Sequence, residues 1–261
     1  MPTETNDPQS RIVDLFRQML ALHASDLFLV EGKEPHGRIF GKVQPIAGAA
    51  LTYLDFHEFA SQRLPPGLLD RLATARDLDI GFSLAEHERY RLNLFYQKGR
   101  LALVARRVPS GAIGLDDLRL PAVVKTLAEA SRGLLLITGA TGSGKSSTMA
   151  AILHHINQSF ERHIVTIEDP IEFVHSDLKS VVTQREVGTD TTSFSTSLRQ
   201  VVRQSPDAIF IGEMRDLETI QTALSAAMTG HLVVSTMHTV DVSQTLERMV
   251  NYFPDHLRDQ V

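Results

Sequence analysis

The chain contains no cysteine and no tryptophan, and positive charge is not in excess: 26 Lys and Arg stand against 31 Asp and Glu, a net charge of −5. The missing thiols exclude a disulfide framework and a thiolate metal site, in keeping with a reducing compartment. The charge balance argues against a broad basic face that grips nucleic acid, so no nucleic-acid partner is expected. No apolar run reaches the length of a membrane span. The opening Met1-Pro2-Thr3-Glu4-Thr5-Asn6-Asp7-Pro8 has neither the basic start nor the apolar stretch of a secretion signal. A soluble, unexported chain is the expectation. What is present is apolar residue in quantity, 43% of 261 positions, enough for one large domain or two ordinary ones.

Two kinds of patterning divide the sequence. Ile12, Leu15, Phe16, Met19 and Leu20 recur at the spacing of one helix face. Leu27–Val30 and Ile39–Val43 read as short strands. Tyr90–Tyr96 alternates with period two, and Gln97-Lys98-Gly99-Arg100 turns the chain into Leu101–Ala105, a β-hairpin with one solvated face. Residues 1–108 are therefore expected to form an α+β module. Pro109-Ser110-Gly111-Ala112-Ile113-Gly114 is a cluster of breakers without apolar period, which places a linker at 109–118. From 119 to 261 the order changes to strand (134–138), helix, strand (163–167), helix (near 195–203), strand (208–211), helix, strand (232–235) and helix. Continuous apolar strands alternating with helices imply an α/β domain on a mainly parallel sheet. The final stretch, Leu246 to Val261, carries no capping signal, and this second domain is expected to be cut short.

The run Gly139-Ala140-Thr141-Gly142-Ser143-Gly144-Lys145-Ser146 follows an apolar strand and precedes a helical pattern, the context of a phosphate-binding P-loop. Gly139, Gly142 and Gly144 let the backbone turn successive N–H groups toward one anion. A helix starting near Gly144 would aim its positive end at the same phosphates; Lys145 would reach the β/γ oxygens and the Ser146 hydroxyl would ligate Mg²⁺. Thr141, Ser143 and Ser147 complete the nucleotide-binding set. ATP and Mg²⁺ are the ligands this pattern calls for.

Three further segments follow apolar strands, where ligands of open α/β sheets bind. Glu168-Asp169-Pro170-Ile171-Glu172 offers carboxylates that could orient or deprotonate a water, or that simply face solvent. Asp207-Ala208-Ile209-Phe210-Ile211-Gly212-Glu213 resembles a Walker B strand with Glu in place of Asp, and Glu213 could hold Mg²⁺ through water. In Thr229–Thr239 a strand lies between His231 and His238, either of which could sense a γ-phosphate or be structural. The remaining histidines, His154 and His155 among them, show no metal spacing. Asp190 or Ser193 is available to cap the helix that follows.

Taken together and in this order, Gly-Ala-Thr-Gly-Ser-Gly-Lys-Ser at 139–146, Ile-Glu-Asp-Pro-Ile-Glu-Phe-Val-His at 167–175, Val-Thr-Gln-Arg-Glu-Val-Gly at 182–188, Ile-Gly-Glu-Met-Arg-Asp at 211–216, and Thr-Gly-His-Leu and Met-His-Thr within 229–239 resemble the PilT/PilU family of type IV pilus retraction ATPases. Ala-Ser-Asp-Leu-Phe-Leu at 24–29 is similar to that family's opening strand, with Phe28 nearer the PilU branch and Gly-Glu-Met-Arg-Asp nearer the PilT branch. The resemblance implies a PAS-like N-terminal domain, a RecA-like ATPase domain, and assembly as a hexameric ring. It implies Glu172 as general base, Glu213 as the Mg²⁺-side acid, and His238 at the γ-phosphate. Arginines of the first domain would complete the site, with Arg89, Arg91 and Arg106 as candidates. The implied setting is cytoplasmic, peripheral at the inner membrane, with an inner-membrane platform protein and a paralogous pilus ATPase as partners. An ATP-binding accessory subunit is the alternative to a motor, and a nucleic-acid translocase of the same fold is a third reading, which the net charge weighs against.

Overall fold

The computed structural model describes residues 10–85, 88–109, 113–255 and 258. The chain divides into two compact units, Met1–Val108 and Pro109–Val261. Of the breaker cluster at 109–114, residues 110–112 lie outside the described residues, as do the first nine residues and all but one of the last six.

In the first unit, helix α1 (Arg11–Ala21) forms where the helical spacing predicts it, burying Ile12, Leu15, Phe16 and Met19 together with Val13. Strands β1 (Asp26–Val30), β2 (His36–Ile39), β3 (Lys42–Pro45), β4 (Asp77–Ala85), β5 (Glu88–Gln97) and β6 (Arg100–Arg107) make an antiparallel sheet in the order β3-β2-β1-β6-β5-β4. Helices α2 (Tyr53–Arg63) and α3 (Leu68–Ala75) lie between β3 and β4 in the chain. The core gathers Phe16, Phe59, Phe82 and Tyr90, with ring centroids 4.7 to 5.7 Å apart along their closest contacts. Burial, with the charge of Glu88 adding to it, pushes the Tyr90 phenol up to about 12.

The β5–β6 hairpin turns at Lys98-Gly99, both with positive φ, the two-residue geometry that matches strand twist. Ile39–Val43, expected as one strand, is instead a second such turn: Phe40 and Gly41 take φ of 48° and 79°, and Ile39 pairs with Lys42. Apolar flanks at Ile39, Phe40 and Val43 disguise the turn, because Phe40 is an unusual residue for positive φ. Its ring is 90% exposed.

Asp26 ties the sheet together, accepting from Arg106 Nε at 2.8 Å, Arg38 Nε at 3.1 Å and Ser25 Oγ at 2.8 Å. Burial opposes its ionisation, yet the bonds from Arg106 and Ser25 and the two guanidinium charges outweigh it and hold the carboxyl below its ordinary 3.8. Its contribution is therefore complete above pH 4 or so and is lost as pH falls through the depressed value. Asp26→Ala is expected to lower the stability of this unit by about 2 kcal/mol, read from the urea midpoint at pH 7, with a smaller difference from the parent in strong acid.

In the second unit, strands β7 (Gly133–Thr138), β8 (His163–Glu168), β9 (Val181–Glu186), β10 (Ala208–Ile211) and β11 (Leu232–Met237) form a wholly parallel sheet in the order β7-β11-β10-β8-β9. Helices α4 (Ala122–Ala128), α5 (Lys145–Ser159), α6 (Phe194–Val201), α7 (Leu217–Met228) and α8 (Val242–Asn251) connect and flank it. The central strands β8, β10 and β11 are mostly apolar because apolar clusters lie on both faces: Ile164, Phe210 and Val234 pack with Ile152 and Ile156 of α5, while Val165, Ile209 and Val233 pack with Leu198 of α6 and Ile220 of α7. Ser193 caps α6, its hydroxyl accepting from the Thr196 amide at 3.1 Å; Asp190, the other candidate, instead accepts from the Glu186 amide. No helix among the described residues is long and apolar enough to cross a membrane.

Candidate active site

The strand order sets four chain segments side by side at the carboxyl edge of the sheet: the loop after β7, the residues after β11, those after β10, and those after β8. They enclose a cavity of about 460 Å³ lined by Thr141, Gly142, Gly144, Lys145, Ser146 and Ser147 on one side, and by Glu168, Asp169, Glu172, His175, Glu213 and His238 on others.

The glycine loop joins β7 to α5. Gly142 and Gly144 take φ of 79° and 94°, and Gly139 takes 152° with so little room that a Cβ would stand 2.6 Å from Ser143 Oγ. Side chains are thus excluded where the loop closes on itself, which leaves backbone facing the cavity. Gly144 is the N-cap of α5, and Lys145 begins the helix. The Lys145 side chain is buried, donating from Nζ to the carbonyls of Gly139 at 2.9 Å and Ala140 at 2.8 Å, with His238 Nδ1 at 3.5 Å.

Glu213 projects from the loop after β10. Its Oε1 is paired with Arg215, while Oε2 is buried with no hydrogen-bond partner and has His238 Nε2 3.6 Å away. A buried carboxylate oxygen left without a donor, in a cavity that Ser146 also lines, is the hard-oxygen chemistry a Mg²⁺ ion accepts. Among the described residues no group of three or more His, Asp or Glu gathers as a metal cage. Mg²⁺ bound together with phosphates needs only one or two protein ligands.

Glu168, the last residue of β8, is buried, and burial raises its carboxyl above the ordinary value despite bonds from Thr166 Oγ1 at 2.6 Å and Gln184 Nε2 at 3.0 Å. Glu172, four residues on, is exposed, and its side chain lines the cavity. His175 lines it too; burial, with the charge of His154 adding to it, lowers the imidazole to about 4, which keeps the ring neutral at pH 7.

Residues 104–253 match the model of the type II/IV secretion system protein family. The chain is 42% identical over 231 residues to the type IV pilus retraction ATPase PilT of Pseudomonas aeruginosa, spanning 88% of this chain and 67% of that protein. It is 37% identical over 247 residues to the type IV pilus ATPase PilU of the same organism, spanning 95% and 65%. The chain belongs to the PilT/PilU family of type IV pilus ATPases. Among solved structures, the pilus retraction motor PilT with bound ADP matches with a TM-score of 0.86 at 42% identity, covering 95% of this chain and 73% of that one. The Legionella pneumophila ATPase DotB gives 0.84 at 30%, covering 100% and 74%. The chain spans about two thirds of the length of PilT and PilU.

For a PilT/PilU family chain, the structure brings together Lys145, Ser146, Glu172, Glu213 and His238, all read from the sequence as site residues. Thr141, Gly142, Gly144 and Ser147 line the same cavity, whereas Ser143 folds against Gly139 and Gly139 itself stands behind the loop's lining. His231 is not at the site: its Nδ1 lies 3.0 Å from the Ala226 carbonyl, at the opposite end of β11. His155 pairs with Glu129. Of the arginines nominated in the first unit, Arg106 is bound to Asp26, Arg89 donates to Ser83 Oγ at 3.3 Å, and Arg91 stands opposite Arg106 in the β5–β6 register. Arg215, which pairs with Glu213, was not singled out as a site residue, although the Gly-Glu-Met-Arg-Asp text of this PilT/PilU family member contained it.

Proposed function

We propose that this chain is an ATP-hydrolysing motor subunit of a type IV pilus system, acting in pilus retraction as part of a hexameric ring. The observation that carries this reading is the meeting of a P-loop lysine, a carboxylate with one buried oxygen free of hydrogen bonds and an exposed carboxylate around one cavity, in a chain of the PilT/PilU family. The loop amides and Lys145 bind the phosphates, and the positive end of α5 adds to the attraction. Glu172 takes the proton of the attacking water as in-line displacement at the γ-phosphate begins. His238, between Lys145 and Glu213, contacts the γ-phosphate side of the site. The Ser146 hydroxyl and Glu213, the latter through water, are the residues that would hold Mg²⁺, which would supply neutralisation of the charge developing on the phosphates.

The second unit is read as a RecA-like domain and the first as a PAS-like domain, a reading supported by an antiparallel sheet in which β1 lies beside β6. The retraction setting adds an inner-membrane platform protein as partner and a cytoplasmic location against that membrane. An accessory role beside a paralogous pilus ATPase is the second reading, favoured by 37% identity to PilU over 95% of the chain. Steady-state ATP hydrolysis measured against protein concentration, with and without Mg²⁺, separates the two. The motor reading expects Mg²⁺-dependent turnover that rises per subunit as the ring assembles; ATP binding without turnover at any concentration would leave only the accessory role.

A further inference from the structure

One side-chain amide makes three bonds to the loop that carries Glu172. Gln184 lies on β9, beside β8 at the sheet edge. Its Nε2 donates to Glu168 Oε1 at 3.0 Å and to the Phe173 carbonyl at 2.9 Å, and its Oε1 accepts from the His175 amide at 2.8 Å. The partners dictate the orientation of the amide, since a backbone N–H requires the oxygen and a carbonyl requires the NH₂ group. Both donors are thereby used, and the three bonds fall on either side of Glu172, one before it and two after. The Glu172 amide itself donates to Glu168 Oε2 at 3.3 Å, so the carboxylate that Gln184 grips is also the one that holds the Glu172 backbone.

A second residue of the same strand reaches the same loop. Glu186, two positions on and so on the same face of β9, accepts from the Ile171 amide at 3.0 Å. The anchors thus meet residues 168, 171, 173 and 175, leaving the exposed Glu172 side chain as the part directed to the cavity. None of them involves that side chain.

We propose that Gln184 is a positioning residue for ATP hydrolysis, bracketing the loop 168–175 so that Glu172 stands at the wall it shares with Glu213 and His238. This rests on the reading of Glu172 as the base. A misplacement of about 1 Å in a reacting group costs on the order of 10²-fold in rate. Gln184→Met keeps the approximate shape but strips the Phe173 carbonyl and His175 amide of their partner and takes one donor from Glu168. Gln184→Glu keeps the acceptor for His175 and sets a second carboxylate against a buried one, a larger disturbance.

The test compares ATP turnover and nucleotide affinity in the parent, Gln184→Met, Gln184→Glu and Thr183→Val. Thr183 makes a bond between the same two strands, its hydroxyl 3.1 Å from His163 Nε2 at the far end of β8, and serves to register stability loss alone. In the Gln184 variants kcat is expected to fall about tenfold to a hundredfold with KM and ATP affinity within about twofold, while Thr183→Val keeps its kcat. Gln184 variants within about threefold of the parent kcat, or a fall in affinity as large as the fall in kcat, would overturn the proposal. Turnover retained by Glu172→Gln would instead sink the assignment of the base; a dead Glu172→Gln beside fully active Gln184 variants removes only this inference. Amide exchange at His175 provides a reading independent of turnover: about tenfold faster exchange in Gln184→Met with α5 unchanged supports the bracket, and an unchanged rate contradicts it.

Discussion

Lys145→Ala is expected to weaken ATP binding by about 10²- to 10⁴-fold, measured by calorimetric titration at fixed Mg²⁺. The side chain carries the one cation seated within the glycine loop, and its ammonium already donates two short bonds there, to Gly139 and Ala140. Those bonds show that Nζ lies over the loop and can exchange carbonyl oxygens for phosphate oxygens by small rotations of its stem. Charge-assisted hydrogen bonds contribute about 1.5–3 kcal/mol each, so the loss of two toward phosphate gives the stated factor in Kd. The substitution also leaves His238 without its 3.5 Å neighbour. Binding within about threefold of the parent would mean that the loop amides alone carry the phosphates.

Glu172→Gln is expected to leave ATP affinity within about twofold and to cut turnover by about 10²- to 10⁴-fold, the usual span for loss of a general base. The amide has the same shape but accepts no proton. The loop should keep its position, because its bonds to Gln184 and Glu186, the Glu172 amide and the Val174 amide on the Pro109 carbonyl do not involve the substituted carboxylate. Single-turnover kinetics on the ATP-saturated variant would distinguish slow chemistry from slow product release. Should turnover survive, Glu168 is the carboxylate to examine next. It lines the same cavity and its burial raises its proton affinity, but two donors already occupy Oε1 and the Glu172 amide occupies Oε2.

What could be read without coordinates was whatever has short-range period or fixed chemistry. The strand Ala208–Ile211 was legible to the residue, and β7, β8 and β11 to within two, because strands covered on both faces are mostly apolar runs. The P-loop was legible because three glycines, a lysine and a serine at fixed spacing answer one physical demand. Strand β9 was not: Val181-Val182-Thr183-Gln184-Arg185-Glu186 is largely polar, and its pairing with β8 is a long-range fact. Its polarity turns out to be functional, since Gln184 and Glu186 spend their side chains on the neighbouring loop. The Glu213–Arg215 pair was hidden for a different reason. Two residues apart in a loop have no preferred contact by spacing alone, and only the turn after β10 brings them together. Ile39–Val43 misled because its turn is built from Phe40 rather than from an Asn-Gly or Asp-Gly pair.

The sheet order also governs when the site can come into being. Strand β7, which leads into the glycine loop, pairs only with β11 among the described residues, and β11 is the last strand among them. During synthesis, Leu134 to Ile137 must wait, apolar and without a hydrogen-bonded neighbour, until residues 232–237 leave the ribosome. A nascent chain stalled before that point has its lysine loop after a β7 that pairs with none of the strands already made, and it presents a bare strand edge to other chains. Competence to hold nucleotide is thus acquired only once residues 232–237 have emerged and β11 inserts between β7 and β10.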